Sequence, residues 1–452
     1  MLNGVLRYNP KNSRYFSDAS GKAVYLAGSH NWFVQQDFKL DGEMNAFDYD
    51  GFLSMMVENK HNFMRYWQFA LQASGAGWTK QSLDFSPLPY QRLGPGLALD
   101  GLPKFDLDKW NEDYFVRLRE RVRQAGEKGI YVAVLMFEGW CGKNKSGRMD
   151  SWLSHPYNVQ NNVNGDDGGD QNIFTLDISA IVRREEAFVK KVIDTLNDLD
   201  NVLYEIVNEV RNEFDSKIWQ MHMIDFIHKY EKGLPKQHPV GISASGAYED
   251  NVLLMHSNAD WVAPGIDFKY NYRIDPPAMD GKKVVIMDTD HICALDHAGD
   301  RKLVWKCFTR GYNYALMDPW VPLPGKLLDH IKHWEKKKDD PVFEDARKNI
   351  GYTLMLAERV DLNRMFPRDD LANSGYCLAD PGEAYIVYVP EGGEVAVDLC
   401  AYDCEFTYEW FSPEKGEIMA SGVIMGGRAD YSTNFKLPFK GDAVLFLKQK
   451  ST

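Results

Sequence analysis

The chain has 452 residues, 44% of them hydrophobic and 26% charged, which excludes a disordered tail and provides apolar mass for at least one large core. Lys and Arg total 52 against 65 Asp and Glu, a net charge of −13. With no long basic run to track phosphates, nucleic acids and anionic membrane surfaces are poor partners.

In chain order, the N-terminal MLNGVLRYNPKNSRYF lacks the apolar stretch of a secretory leader, and no later segment has 18 uninterrupted apolar residues. The expected location is the cytoplasm, or outside the cell after removal of a leader. Short apolar runs predict strands at Val24–Ala27, Phe63–Tyr66, Ile130–Met136 and Val202–Val207, then at Val240–Ile242, Trp261–Ala263, Val284–Met287 and Tyr312–Met317. Amphipathic stretches between them predict helices over Asp108–Lys128, stopped by Gly129, over Ile178–Leu196 and over Lys217–Tyr230. Alternation of this kind implies a parallel sheet with crossover helices, and eight such units favour an α/β fold of the closed (β/α)₈ TIM barrel type. No GxGxxG or GxxxxGK[ST] follows an early strand, so a phosphate cradle is missing.

Beyond about Arg359 the texture changes. AYIVYVPEGGEVAVDL, CEFTYEWFSPEKGE and DAVLFLKQ are short β-rich runs separated by Pro, Gly, Asp and Asn turns. The chain therefore divides into a barrel over residues 1–358 and an antiparallel β-sandwich over residues 359–452. The six cysteines are scattered without a CxxC pair and are expected as reduced thiols. The long polar loop His155–Asn172 follows the third strand, where such loops shape a site or stay mobile.

In a (β/α)₈ enzyme the reactive groups stand at the C-terminal strand ends. Here those ends carry Ser29-His30-Asn31-Trp32, Arg65-Tyr66-Trp67, Glu138-Gly139-Trp140, Asn208-Glu209, Asp288-Thr289-Asp290-His291 and Asp318-Pro319-Trp320. Glu209 closes LYEIVNE and Asp288 closes VVIMD, about 80 residues later, close to three βα repeats of about 31 residues each. Two carboxylates facing each other across one barrel mouth are what glycoside hydrolysis needs: one protonates the leaving oxygen, and the other attacks or activates water.

Asn208-Glu209 after the fourth strand, Arg65 after the second, an acid after the seventh and Trp320 after the eighth resemble the clan-A retaining glycoside hydrolases. More narrowly, LRYNPKNSRYFSDASGKAVYLAGSHNW, HPYNVQNNVNG, VVIMDTDH and the C-terminal sandwich are similar to bacterial apiosidase-like glycosidases with a C-terminal domain of the collagen-binding type. The resemblance implies Glu209 as acid/base, Asn208 as a contact to the sugar 2-hydroxyl, and Asp288 as nucleophile, with Asp290 as its rival two residues on. The clan normally carries Glu at the strand-7 position. The strand ends themselves offer His30, Asn31, Trp32, Arg65, Trp67, Glu138, Trp140, Tyr270, His291, Asp318 and Trp320 as sugar contacts, with Arg65 alternatively a structural ion pair, His30 and His291 wall residues and the tryptophans barrel caps; no cofactor or metal is expected, and the substrate is a glycoside or oligosaccharide.

Two other classes compete with this reading. A non-catalytic carbohydrate-binding protein would keep the aromatic cleft, and a metal-dependent hydrolase or lyase would use His30, Glu138, Asp290 and His291, although no HExxH is present. The acidic run Asp166-Asp167-Gly168-Gly169-Asp170 lacks EF-hand spacing and reads as a solvated loop. Trp110, Trp219 and Trp305 fall in helical patterns and read as packing groups.

Overall fold

A computed structural model describes residues 2–40, 43–69, 83–139, 151–210, 214–244, 251–265, 272–290, 300–320, 341–427 and 432–450. Eight parallel strands close into a barrel: β1 (Ala27–His30), β2 (Phe63–Tyr66), β3 (Tyr131–Glu138), β4 (Val202–Asn208), β5 (Val240–Ser243), β6 (Trp261–Ala263), β7 (Val284–Asp288) and β8 (Asn313–Met317). Each pairs with the next, and β8 returns to β1. The strands are buried along nearly their whole length, as expected for parallel strands covered on both faces. Around them run α1 (Tyr49–Glu58), α2 (Glu112–Glu127), α3 (Ser179–Leu196), α4 (Phe214–Glu231), α5 (Asn251–Met255), α6 (Arg301–Thr309) and α7 (Pro341–Ala357). In α3 the inward face is Ile181, Glu185, Phe188, Val189, Val192, Ile193 and Leu196, a spacing of three and four that places one stripe against the barrel.

Two elements differ from their sequence expectation. The first barrel strand is Ala27–His30 rather than Val24–Ala27, because Ala23–Val24 pairs with Phe16–Ser17 in a separate two-stranded sheet. The barrel strand itself is made of small and polar residues that no apolar pattern marks. Asp108–Trp110 is also not helical. It ends the strand Pro103–Trp110, which pairs with Tyr90–Leu97 in a hairpin, and α2 begins only at Glu112.

Inside the barrel Phe63, Ala133, Leu203, Trp261, Ile286 and Ala315 build an apolar layer. Gly28 and Gly241 leave it room: a Cβ at 28 would collide with the Phe63 carbonyl, and one at 241 would enter the Trp261 indole. The polar loop after β3 is closed on itself. Asn161 is buried and its amide donates to Leu153 O (2.9 Å) and His155 O (3.0 Å), while its Oδ1 accepts from Leu99 N (2.9 Å) of the hairpin. Asp166 takes the Arg184 Nε (2.8 Å) and Asp167 the Gly169 N–H (3.0 Å).

The last barrel helix ends at Ala357, and the C-terminal sheets start at Phe366. The large sheet comprises β9 (Phe366–Pro367), β10 (Cys377–Asp380), β11 (Ala384–Val389), β13 (Glu405–Ser412), β14 (Glu417–Met425) and β16 (Ala443–Gln449), and β12 (Glu394–Val397) pairs with β15 (Thr433–Lys436) in a small one. All of β11 is buried because its alternate residues face two partners. Tyr385, Val387 and Val389 join Val395, Val397 and Phe435 of the small sheet, whereas Ile386 and Tyr388 join the core of the barrel. Trp305 of α6 stacks on Tyr388 (6.2 Å between centroids, 21°), and Arg301 binds Asp442 and Asp345, each at 2.9 Å. Among the described cysteines, Cys307, Cys377, Cys400 and Cys404 are unbridged, and no described helix is long and apolar enough to cross a membrane.

Glu185 is the charged residue of the α3 core stripe, fully buried, accepting from Trp219 Nε1 (2.7 Å) and Phe174 N (3.3 Å). Burial pushes its carboxyl up to about 8. The folded protein therefore holds this proton above the pH at which the unfolded chain, with its ordinary value of about 4.3, releases it. The associated stability is intact below about pH 4 and drains away as pH rises toward 8. Glu185→Gln is expected to gain stability over the parent protein between pH 5 and 8, by up to about 1.4 kcal/mol per pH unit. Urea midpoints across that range check this, and a gap independent of pH would refute it.

Candidate active site at the barrel mouth

The site follows from strand periodicity. Residues two apart point to the same side of a strand, so one step above the apolar layer, Gly28 leads to His30, Phe63 to Arg65, Leu203 to Glu205, Gly241 to Ser243 and Ile286 to Asp288. That second layer is polar and almost sealed: His30, Glu205, Ser243 and Asp288 are at most 1% exposed, and Arg65 is 2% exposed.

Arg65 is its hub. Its Nε and Nη2 donate to the two carboxylate oxygens of Glu205 (2.6 and 2.7 Å), Nη2 also reaches Asn208 Oδ1 (2.8 Å), and Nη1 lies 3.2 Å from Asp288 Oδ2. Burial opposes this charge, but the Glu205 and Asp288 carboxylates outweigh it and raise the guanidinium above its usual value. The Trp67 ring lies 4.6 Å from the guanidinium carbon, a cation–π contact that shields the ion pair from water. Glu205 also accepts the Ser243 hydroxyl.

Asp288 is held by His30 Nε2 (2.9 Å) and by the backbone N–H of Asp290 (2.9 Å) in addition to Arg65. Asp290 itself is half-buried. Burial, then the negative charges of Glu209 and Asp288, push its carboxyl well above the ordinary range; Arg65 pulls the other way and Glu138 adds to the rise. Opposite, β4 ends in Asn208, whose amide nitrogen donates to Glu138 Oε1 (3.2 Å). The chain then turns sharply, placing Glu209 at φ 42° with its side chain half-buried. A non-glycine residue in the left-handed region stores strain that its surroundings must impose. The constraint comes from Gly139, whose N–H donates to Asn208 O (2.8 Å) and at which a Cβ would lie 2.6 Å from Val210 Cα. Glu138, Glu209, Asp288 and Asp290 thus share one mouth with Arg65 and His30.

Several expected sugar contacts are instead consumed by the scaffold. Asn31 is fully buried, donating to Asp318 O (2.8 Å) and accepting from Phe33 N (3.0 Å). Asp318 is fully buried in a two-point ion pair with Arg347 of α7 (2.6 and 2.7 Å) and accepts from Ser29 Oγ (3.2 Å). Both act as structural ties at the β1–β8 seam, since no face of either remains for a ligand. Trp67 is 4% exposed and stacks beside His30 (6.1 Å, 11°), and Trp32 is 8% exposed, 6.1 Å from Trp67. Trp320 is half-buried between Phe52 (6.4 Å) and Arg347 (6.0 Å). Trp140, Tyr270 and His291 lie outside the described residues. Glu205, Ser243 and Arg347 were missed from sequence. A glutamate inside the apolar run LYEIVNE was the available signal, because a carboxylate in a buried strand requires a partner.

A family model described as "Domain of unknown function (DUF6298)" matches residues 74–283, a span containing Glu138, Asn208 and Glu209. No curated protein matches the chain. Among solved structures, a protein described as a glycoside hydrolase is similar over 100% of this chain and 98% of its own, at 14% identity and TM-score 0.64. A family 5 glycoside hydrolase from Bacteroides vulgatus is similar over 100% of this chain and 94% of its own, at 14% identity and TM-score 0.66. These likenesses run through both barrel and sheets and establish the shared fold.

Removing the hub charge is expected to be costly. Arg65→Met leaves Glu205 and Asp288 as buried carboxylates without their cation and should lower stability by about 3–5 kcal/mol. Guanidinium unfolding measures it, and a loss within about 0.5 kcal/mol would contradict the network as described.

Proposed function

We propose that this protein is a glycoside hydrolase that acts through a retaining, two-carboxylate mechanism, with Glu209 as acid/base and Asp290 as nucleophile. The observation that carries the reading is that half-buried Glu209 and Asp290 stand just past the ends of β4 and β7, where Arg65 joins Asn208 to Asp288 and Asp288 accepts the Asp290 N–H. Retention, which needs the two carboxyl groups roughly 5–5.5 Å apart rather than 6.5–9.5 Å, is proposed from the resemblance of the strand ends to the clan-A retaining hydrolases.

This assignment departs from the strand register, which favoured Asp288. Asp288 is 1% exposed and occupied by His30, Arg65 and the Asp290 N–H, so it serves as the anchor on which the Asp290 turn is built. Two carboxylates that feel each other's charge tend to share a proton. A proton on Glu209 removes the largest of the charges that repel ionisation of Asp290, and Arg65 pulls in the same direction, against the burial that raises the Asp290 carboxyl.

In the first step an Asp290 oxygen attacks the anomeric carbon while Glu209 gives its proton to the leaving oxygen, breaking the glycosidic bond and forming a glycosyl ester. In the second, Glu209 takes a proton from water, the water oxygen bonds to the anomeric carbon, and the Asp290 carboxylate departs. Neutral rather than anionic sugars suit a mouth with four carboxylates whose cation, Arg65, is fully engaged.

A panel of aryl glycosides, furanosides included, with product configuration followed by NMR, tests this. Glu209→Gln is expected to lower kcat by about 10²–10⁴, with azide restoring turnover and giving a glycosyl azide of retained configuration. Asp290→Asn is expected to be inactive until azide yields the inverted product. An inverted azide from Asp288→Asn instead would transfer the nucleophile to Asp288. Activity abolished by a chelator, or no turnover on any glycoside, would overturn the proposal.

A further inference from the structure

We infer that Glu205 is a positioning residue for this reaction: from the middle of β4 it clamps the Arg65 guanidinium so that Nη2 also meets Asn208 and Nη1 faces Asp288. The inference rests on the hydrolase reading and assigns a role to a residue that touches no substrate. Glu205 is fully buried on β4 and lies four residues before Glu209, which follows the end of that strand. Both its oxygens accept from Arg65, and one also accepts the Ser243 hydroxyl from β5, so it joins β2, β4 and β5 at one level of the barrel.

Geometry explains why the clamp is needed. Arg65 reaches Asp288 through a single nitrogen at 3.2 Å, longer than its bonds to Glu205. A long side chain held at that one point would retain several rotamers, whereas the two-point fork on Glu205 leaves one. With the fork set, Arg65 orients the Asn208 amide, which in turn reaches Glu138, and presents Nη1 to Asp288, the anchor of the Asp290 turn.

Charge gives Glu205 a second effect. The strand-7 aspartates are faced by His30 from β1, Arg65 from β2, Glu138 from β3, Glu209 after β4 and Tyr314 from β8. Arg65 is the permanent cation among them, and Glu205 cancels much of its field. Without Glu205 that field falls undiluted on Asp290 and Glu209, favouring their ionised forms.

The experiment compares pH profiles of kcat/KM for the full-length enzyme and Glu205→Gln, which keeps the shape and removes the charge. Both limbs are expected to move to lower pH by about half a unit or more, and kcat per active site to fall about tenfold or more. A folded Glu205→Gln with both limbs at their original positions overturns the inference, because a purely structural residue would alter only the amount of folded enzyme. Should that variant fail to fold, Glu205→Asp retains the charge but shortens the fork. It is expected to lower kcat about fivefold or more at unchanged KM, counted per site titrated by a mechanism-based inactivator, and unchanged kcat per titrated site overturns the inference. Turnover absent from the parent enzyme itself sinks the hydrolase reading, whereas parent turnover with unmoved variants sinks this inference alone.

Discussion

The buried ion pair between Arg65 and Glu205 is the constraint on which the upper half of the barrel depends. Removing two charges from water costs several kcal/mol per ion, recovered only when geometry is good and every remaining donor and acceptor is engaged. Here the guanidinium bonds Glu205 and Asn208, faces Asp288 across 3.2 Å and is roofed by Trp67, and Glu205 takes Ser243 as well. Because the arrangement is tolerable only when complete, it fixes side chains on β2, β4, β5 and β7 relative to one another. The polar ends of four strands are thereby set relative to one another by the fold itself.

The seam between β8 and β1 uses the same physics. Asp318 and Arg347 tie α7 to the barrel, and Asn31 and Ser29 close on Asp318 from the neighbouring strand. Below, the C-terminal sheet continues the barrel's packing rather than hanging from it. Tyr388 stacks on Trp305, and its hydroxyl donates to Asp442 (3.0 Å), which Arg301 also holds. With β11 buried on both faces, this sheet works as an outer wall of the barrel, so α6 and α7, which precede and follow β8, are braced from outside.

Strand identities were legible where apolar runs are continuous. Phe63–Tyr66 and Trp261–Ala263 appear at their expected limits, and the other later strands shift by at most a residue or two. The first strand was misplaced because Gly28, Ser29 and His30 carry no hydrophobic signal. Gly28 is small for lack of space beside Phe63, and His30 is polar because it serves Asp288. The hairpin Tyr90–Trp110 was missed because its charged and apolar residues also fit a helix start at Asp108. Among site residues, the carboxylates at strand ends were visible as charges closing apolar runs, but which of them faces open space and which is buried was not.

What the sequence determined by itself was the alternation of strand and helix, the switch to β texture after Arg359, and the set of acidic groups delivered to one end of the sheet. All of these rest on local periodicity, which a single segment carries. The tertiary structure alone decided that Asn31 and Asp318 belong to the scaffold, that Glu205 holds Arg65, and that Asp290 rather than Asp288 stands partly open beside Glu209. Those outcomes depend on which side chains from distant strands compete for the same donors. A charged residue's partner in a closed barrel is chosen by layer and register across the fold, information that no stretch of neighbouring residues contains.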